Sequence, residues 1–193
     1  MRTDTIQLCY ALTFSAGFHC GTGLRKGLIH RAVTRDATDV LYVPGSTIKG
    51  TLRDHATHIA RFLELDVSSP HAGSGNDRKL LAEFAQTSNS VLRIFGSRYR
   101  PGTLFFDDAV LCKEHQKWWD GQFRGQQVET RTQVSMSRVT GTARRGLLFS
   151  SEYGTSGMRF EGCIAGRLQD VAVVDDRSIS YALLLLLAAL ASV

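Results

Sequence analysis

No two cysteines in this chain are spaced as C-x-x-C: Cys9, Cys20, Cys112 and Cys163 lie scattered over 193 residues. Free thiols in a reducing compartment, the cytoplasm, are therefore expected. Cys112 and His115 have two residues between them, but a structural zinc site needs about four ligands, and no second pair is present, so no metal site is expected. No signal-peptide pattern opens the chain. Tyr181–Val193 is apolar apart from Ser192, yet its 13 residues fall short of the roughly 20 that span a bilayer. That run reads as a buried helix, and a membrane partner is not expected. Acidic residues are also missing where basic ones gather. Residues 24–35 hold Arg25, Lys26, Arg31 and Arg35 with no acid, and residues 121–150 hold five arginines against Glu129 alone. A formal net charge of +5 favours a polyanionic partner.

What is present is a globular composition. A hydrophobic fraction of 43% beside 21% charged residues excludes a disordered chain, and the length makes one domain over 1–193 the expectation. The most informative stretch is Tyr42-Val43-Pro44-Gly45-Ser46-Thr47-Ile48-Lys49-Gly50-Thr51-Leu52-Arg53. Val43 ends an extended segment and Pro44-Gly45 signals a turn. Ser46 or Thr47 can cap a helix over about 47–65, whose apolar face carries Leu52, Ala56, Ile59, Ala60 and Leu63. A helix start offers unpaired N–H groups, and Lys49 and Arg53 fall on one side of its first turns, which suits a phosphate. The same residues also describe an ordinary strand–turn–helix with solvated basic side chains. Gly50 after Lys49 breaks the P-loop pattern, so a nucleoside triphosphate site is not expected.

Along the rest of the chain, residues 5–14 alternate Ile6, Leu8, Tyr10, Leu12 and Phe14 as a half-buried strand. Gly17-Phe18-His19-Cys20-Gly21-Thr22-Gly23 is a glycine-rich loop. Residues 24–41 form a loop that is basic first and then carries Asp36 and Asp39. Residues 66–77 are turn-rich, and 79–86 suit a short helix. Leu104–Leu111, apolar at its centre on both faces, suits the interior of a sheet; Arg98 and Arg100 precede it. Residues 128–149 read as a hairpin with a turn at Gly141 and arginines facing a polyanion. Met136 and Val139 there either wedge between bases or pack toward a core. Arg159–Leu168 reads as a strand, and Asp175-Asp176-Arg177-Ser178 as the cap of an apolar helix from about Ile179. The succession is a ferredoxin-like (RRM-like) α+β core, β-α-β-β-α, without the final strand.

Four stretches carry a resemblance. Val43–Arg53 resembles the P-G-S-S-hydrophobic-K-G-x-hydrophobic-R signature of the RAMP superfamily. Residues 17–23 resemble its H-x-G-x-G loop, with Cys20 between His19 and Gly21. Phe95-Gly96-Ser97 with the strand ending near Asp108-Ala109 resembles its F-G-S segment. Residues 136–143 resemble its I-D-R-x-T-G-x-A segment, with Ser137 where an Asp often stands. More narrowly, the chain is similar to the repeated backbone subunit of type III CRISPR effector complexes. The resemblance implies a guide-RNA-binding subunit of an antiviral ribonucleoprotein, with the guide RNA, a target RNA, further copies of itself and other subunits as partners. It implies two insertions, a basic loop at about 24–41 and a thumb hairpin at about 125–149. RNA contacts would fall to His19, Ser46, Thr47, Lys49, Arg53, Arg131, Met136, Arg138, Arg144 and Arg145. If the subunit cuts target RNA at regular intervals, its catalytic group lies in the basic loop, where the family carries an aspartate. Here His30 stands near that position and Asp36 six residues on, so both are candidates, His30 as a neutral base. No tightly bound cofactor is expected; Mg2+ would serve, if at all, to order the RNA for cleavage. A non-cleaving structural subunit and a guide-processing endonuclease, with His19 or His30 as its acid–base group, are the alternatives.

Overall fold

The computed structural model describes residues 4–65, 67, 90–97, 101–119, 127–168, 172–174, 177–179 and 181–193. The elements run in the order β1 (Asp4–Thr13), β2 (Tyr42–Val43), α1 (Gly45–Phe62), α2 (Ser90–Phe95), β3 (Leu104–Phe106), β4 (Ala109–Leu111), α3 (Lys113–Trp119), β5 (Val128–Met136), β6 (Ala143–Gly154), β7 (Arg159–Leu168), β8 (Ala172–Val174), β9 (Arg177–Ile179) and α4 (Tyr181–Ala191). The main sheet is ordered β1-β7-β4-β2, with β3 also pairing β7. β7 thus sits between β1 and the strands β3 and β4, both of which it pairs antiparallel, a mixed α+β arrangement of the expected class. The pairs β5–β6 and β8–β9 are separate two-stranded sheets. No described helix is long and apolar enough to cross a membrane.

The chain divides into two compact units, each built from separated segments: Met1–Cys9, Gly45–Asp107 and Cys163–Val193 in the first, Tyr10–Pro44 and Asp108–Gly162 in the second. Both expected insertions fall in the second unit.

In the first unit α1 packs against α2 and α4. Ile48, Leu52, Ala56 and Ala60 recur every four residues and are buried, the stripe that a helix lays on a core. Ile94, Phe95, Phe106, Ile164, Leu186 and Ala189 complete that core. Helix α1 begins at Gly45 and ends at Phe62, so Ser46 and Thr47 lie inside its first turn and do not cap it. The shift has a steric reason: a Cβ at Gly45 would collide with Phe106 O and stand 2.9 Å from the Asp107 carbonyl carbon. Only glycine lets the helix start that close to another backbone. The helix ends in a Schellman motif: Leu65 N–H donates to Ala60 O at 2.9 Å, and Glu64 N–H to Arg61 O at 3.0 Å. Glu64 takes the left-handed conformation at φ 56°, a position usually held by glycine. Leu63, expected on the buried stripe, lies beyond the helix and is exposed.

The stretch 104–111 is two strands and not one. Asp107 and Asp108 interrupt it, with Asp107 N–H donating to Cys163 O at 3.0 Å. Nor is it buried on both faces: Leu104, Phe106, Ala109 and Leu111 point inward while Phe105 and Val110 are exposed. The strict alternation of a one-sided sheet explains the difference, because apolar residues occupy the open face as well. Arg177 and Ser178, expected to cap the last helix, pair instead with Val174 and Val173 in the β8–β9 hairpin; β-branched Val173, Val174 and Ile179 favour that state. The apolar helix starts at Tyr181. The helix expected at 79–86, most of 66–77, and Arg98 and Arg100 lie outside the described residues.

In the second unit β4 pairs β7 through Val110–Glu161 and Leu111–Phe160. Phe14 stacks on Phe18 with centroids 4.0 Å apart, and both meet the Phe160 ring edge-on. This cluster anchors the glycine-rich loop that follows β1.

Candidate nucleic-acid interface

The second unit carries a long two-stranded ribbon. β5 and β6 pair antiparallel from Val128–Gly154 to Met136–Ala143, with an irregularity between Val134 and Met136. At the tip Ser137 N–H donates to Thr142 O at 2.8 Å, and Gly141 N–H to Ser137 O at 2.9 Å. Gly141 adopts φ 63°, which a side chain resists. Arg138, Arg144 and Arg145 are all exposed around this tip. Met136 is 55% and Val139 95% exposed, so neither packs toward a core.

The root of the ribbon is buried and polar. Ser151 and Glu152 on β6 are 1% and 5% exposed. One carboxylate oxygen of Glu152 accepts the Val33 N–H at 3.1 Å, and the other pairs with Arg35 at 3.4 Å. Arg35 also pairs with Asp39 at 3.0 Å. The basic loop is thereby tied to the ribbon, and His30 N–H and Arg31 N–H add bonds to Ser150 O.

Two histidines of this unit, His19 and His30, are held in opposite tautomers. His19 Nδ1 lies 2.7 Å from Glu152 O; a carbonyl only accepts, so Nδ1 bears the proton and Nε2 keeps its lone pair. His30 Nδ1 lies 3.2 Å from Ser150 N and must accept, which places the proton of the neutral ring on Nε2. Of the two, His19 presents a proton acceptor at its tip and His30 a donor. The base expected at position 30 is therefore not supplied by neutral His30 in this arrangement. His19 Nε2 lies 2.6 Å from where a Cβ on Gly21 would be, the steric content of the H-x-G spacing. The ring of His19 stands 5.6 Å from that of Tyr153.

Arg131 is fixed from several sides. Its guanidinium lies over the Tyr153 ring at 4.8 Å, pairs with Glu129 at 3.0 Å, and would meet a Cβ on Gly17 at 3.1 Å. Arg31 sits over Phe149 at 5.9 Å. Aromatic rings under arginines make a surface on which bases can stack beside phosphate-binding cations. Tyr153, Phe149, Arg31, Glu152 and Gly21 are not marked by any local pattern as a set; only the β5–β6 register and the return of the loop gather them.

Asp36 is engaged in its own turn. Its Oδ1 accepts the Thr38 N–H at 2.8 Å, the Thr38 hydroxyl at 2.8 Å and the Val40 N–H at 2.9 Å. Desolvation, the largest single influence, raises its pKa, but the bonds from Val40 and Thr38 together outweigh it and hold the carboxyl below its ordinary value. Such a group is a weak base and a firm loop anchor.

In the first unit, the basic residues of α1 differ from each other. Lys49 is half-buried with Nζ 5.9 Å from the Phe106 ring centre. Arg53 donates to Gly96 O at 3.0 Å, just past the end of α2, and burial lowers its pKa. Ser46 and Thr47 are exposed at the helix start, the end of a helix whose first N–H groups have no intrahelical acceptor. Among the described residues no cluster of three or more His, Cys, Asp or Glu could hold a metal ion. His115 Nδ1 instead accepts the Arg159 N–H at 3.1 Å, and Cys112 is buried.

No curated protein matches the chain. Among solved structures, it is similar to a chain in a cryo-EM structure of the type III-B Cmr-beta complex bound to cognate target RNA. The TM-score is 0.57 and the identity 11%, with 85% of each chain covered, a likeness of fold. The RAMP superfamily model matches residues 12–188, nearly the whole chain and every segment that carries the motifs. The chain belongs to the RAMP superfamily.

Proposed function

We propose that this protein is a guide-RNA-binding backbone subunit of a type III CRISPR ribonucleoprotein, a cytoplasmic antiviral assembly in which copies of one chain repeat along the RNA. The observation that carries this reading is the β5–β6 ribbon. From Glu129 to Leu148 nearly every residue is exposed, and Arg131, Arg138, Arg144 and Arg145 stand against Glu129 alone. A ribbon with an exposed shaft and an excess of positive charge is suited to lie along a polyanion. Its exposed Val134, Met136, Val139 and Leu148 offer apolar edges to unstacked bases. Family membership and the likeness to a target-RNA-bound complex agree with it.

Within this reading the guide runs past the first turns of α1, where Ser46, Thr47 and Lys49 face solvent or lie half-open, and His19 and Arg131 touch RNA beside the ribbon root. Target cleavage is the finer proposal. The basic loop would then act through Asp36, whose Oδ2 accepts no bond from the described residues, or through the Nε2–H of His30 as a donor to a developing oxyanion. The deciding experiment is a binding titration of guide-length RNA at several salt concentrations. High affinity that falls steeply with salt supports the reading; weak, salt-insensitive binding ends it.

A further inference from the structure

Cys9 on β1 and Cys163 on β7 hold their sulfurs 2.7 Å apart, although both are free thiols. A disulfide closes at about 2.05 Å, and bridges Cα atoms about 4.4–6.8 Å apart. β1 and β7 are hydrogen-bonded neighbours, and neighbouring strands lie about 4.7–4.9 Å apart. The two side chains can therefore be joined without moving either strand. Cys9 is exposed and Cys163 half-buried, whereas Cys20 and Cys112 are buried. An oxidant in solution reaches the first pair and not the others.

We propose that Cys9 and Cys163 form a redox-active dithiol, which closes to an intrachain disulfide between β1 and β7 when a small-molecule disulfide such as oxidised glutathione is present. The Cys9 thiolate attacks one sulfur of the oxidant, breaking its S–S bond and releasing one glutathione thiolate, so that Cys9 carries a mixed disulfide. Cys163 then gives its proton to solvent and attacks Cys9 Sγ, expelling the second glutathione. Two protein thiols lose two protons and two electrons, and the oxidant's disulfide takes up both electrons. The order follows from access, and from the hydrogen bond to Cys9 that, ahead of desolvation, raises the Cys163 pKa. The bridge would sit one hydrogen bond from the start of α1, since Cys163 O accepts the Asp107 N–H and Asp107 packs on Gly45. It would also join residues 154 apart in sequence, a long loop whose closure restricts the unfolded chain.

The test treats the folded full-length protein with oxidised glutathione and then counts thiols under denaturing conditions. The expected result is loss of two of the four thiols, a fall in intact mass by two hydrogen atoms, and a crosslinked peptide pair containing Cys9 and Cys163. The melting temperature should rise and return to its starting value with dithiothreitol. Cys163→Ser should stop at a glutathione adduct on Cys9, which wild type does not retain. Four surviving thiols, a persistent glutathione adduct on wild type, a bridge that involves Cys20 or Cys112, or a disulfide-linked dimer would each overturn the proposal.

Discussion

His19 donates its Nδ1–H to the backbone carbonyl of Glu152, 2.7 Å away and 133 residues along the chain. The bond fixes which ring nitrogen is free and where it points, and Gly21 provides the space for it. Replacing Gly21 by Ala should push the ring aside. We expect Gly21→Ala and His19→Ala to weaken RNA binding by similar factors, about 5- to 30-fold if one good contact is lost. The double variant should be no worse than either alone. Additive losses measured by equilibrium binding would separate the two residues and remove this role for Gly21.

Asp36 allows its structural and chemical roles to be told apart. Asp36→Asn keeps an oxygen at Oδ1 to accept from Thr38 and Val40, while Asp36→Ala removes it. If Asp36 acts on RNA, both variants should lose target cleavage in the assembled complex, but only Asp36→Ala should loosen the loop, seen as faster amide exchange at Thr38 and Val40. Because the folded carboxyl titrates below its ordinary value, its contribution is present above the unfolded pKa, near 3.8. It is lost as pH falls through the lower folded value. Acid unfolding of Asp36→Asn should accordingly show a shallower pH dependence there.

The ribbon arginines should act through charge. Arg138, Arg144 and Arg145 replaced together by Ala should reduce the slope of log affinity against log salt by about 2, at roughly 0.7 per phosphate for single strands. Thermal stability should hardly change, since all three side chains are exposed. An unchanged slope would place the RNA elsewhere.

Lys49 and Arg53, equivalent in a helical-wheel view, should part company. Lys49→Ala is expected to lower the salt slope by about one phosphate and leave folding intact. Arg53→Ala removes the bond to Gly96 O and should destabilise by about 1–3 kcal/mol in chemical denaturation. Equal stability of the two variants would mean that the Gly96 bond contributes little.

Glu64 gives a test of local strain. It holds a left-handed backbone at φ 56° where glycine fits without cost. Glu64→Gly should stabilise the protein by several tenths to about 1 kcal/mol, read as a higher denaturation midpoint at constant slope.

Much of this was legible from residue order. The four-residue repeat Ile48, Leu52, Ala56, Ala60 announces α1 and its buried side, and the alternation of 5–14 announces β1, because local periodicity is what a sequence displays most directly. The ribbon was also legible, from β-favouring residues around a glycine turn. Interruption of 104–111 at Asp107 was harder, since a run of apolar residues looks alike whether one face is open or both are covered. The helix start at Gly45 depends on how close Phe106 lies, and the tautomers of His19 and His30 depend on β6 backbone atoms more than a hundred residues away. Such facts reside in the strand register, which no window of neighbouring residues contains.

The β5–β6 ribbon is built as a cantilever. Its clamped end, at Ser151 and Glu152, is buried and cross-braced to the basic loop. Its free end, beyond the irregularity at Val134–Met136, is exposed, with no second layer over it among the described residues. Bending stiffness therefore falls from root to tip, so the fixed end can set position along a polymer while the free end follows its local curvature. In the proposed RNA-bound state, an element graded in this way would follow irregular RNA at the tip without passing the distortion to its root.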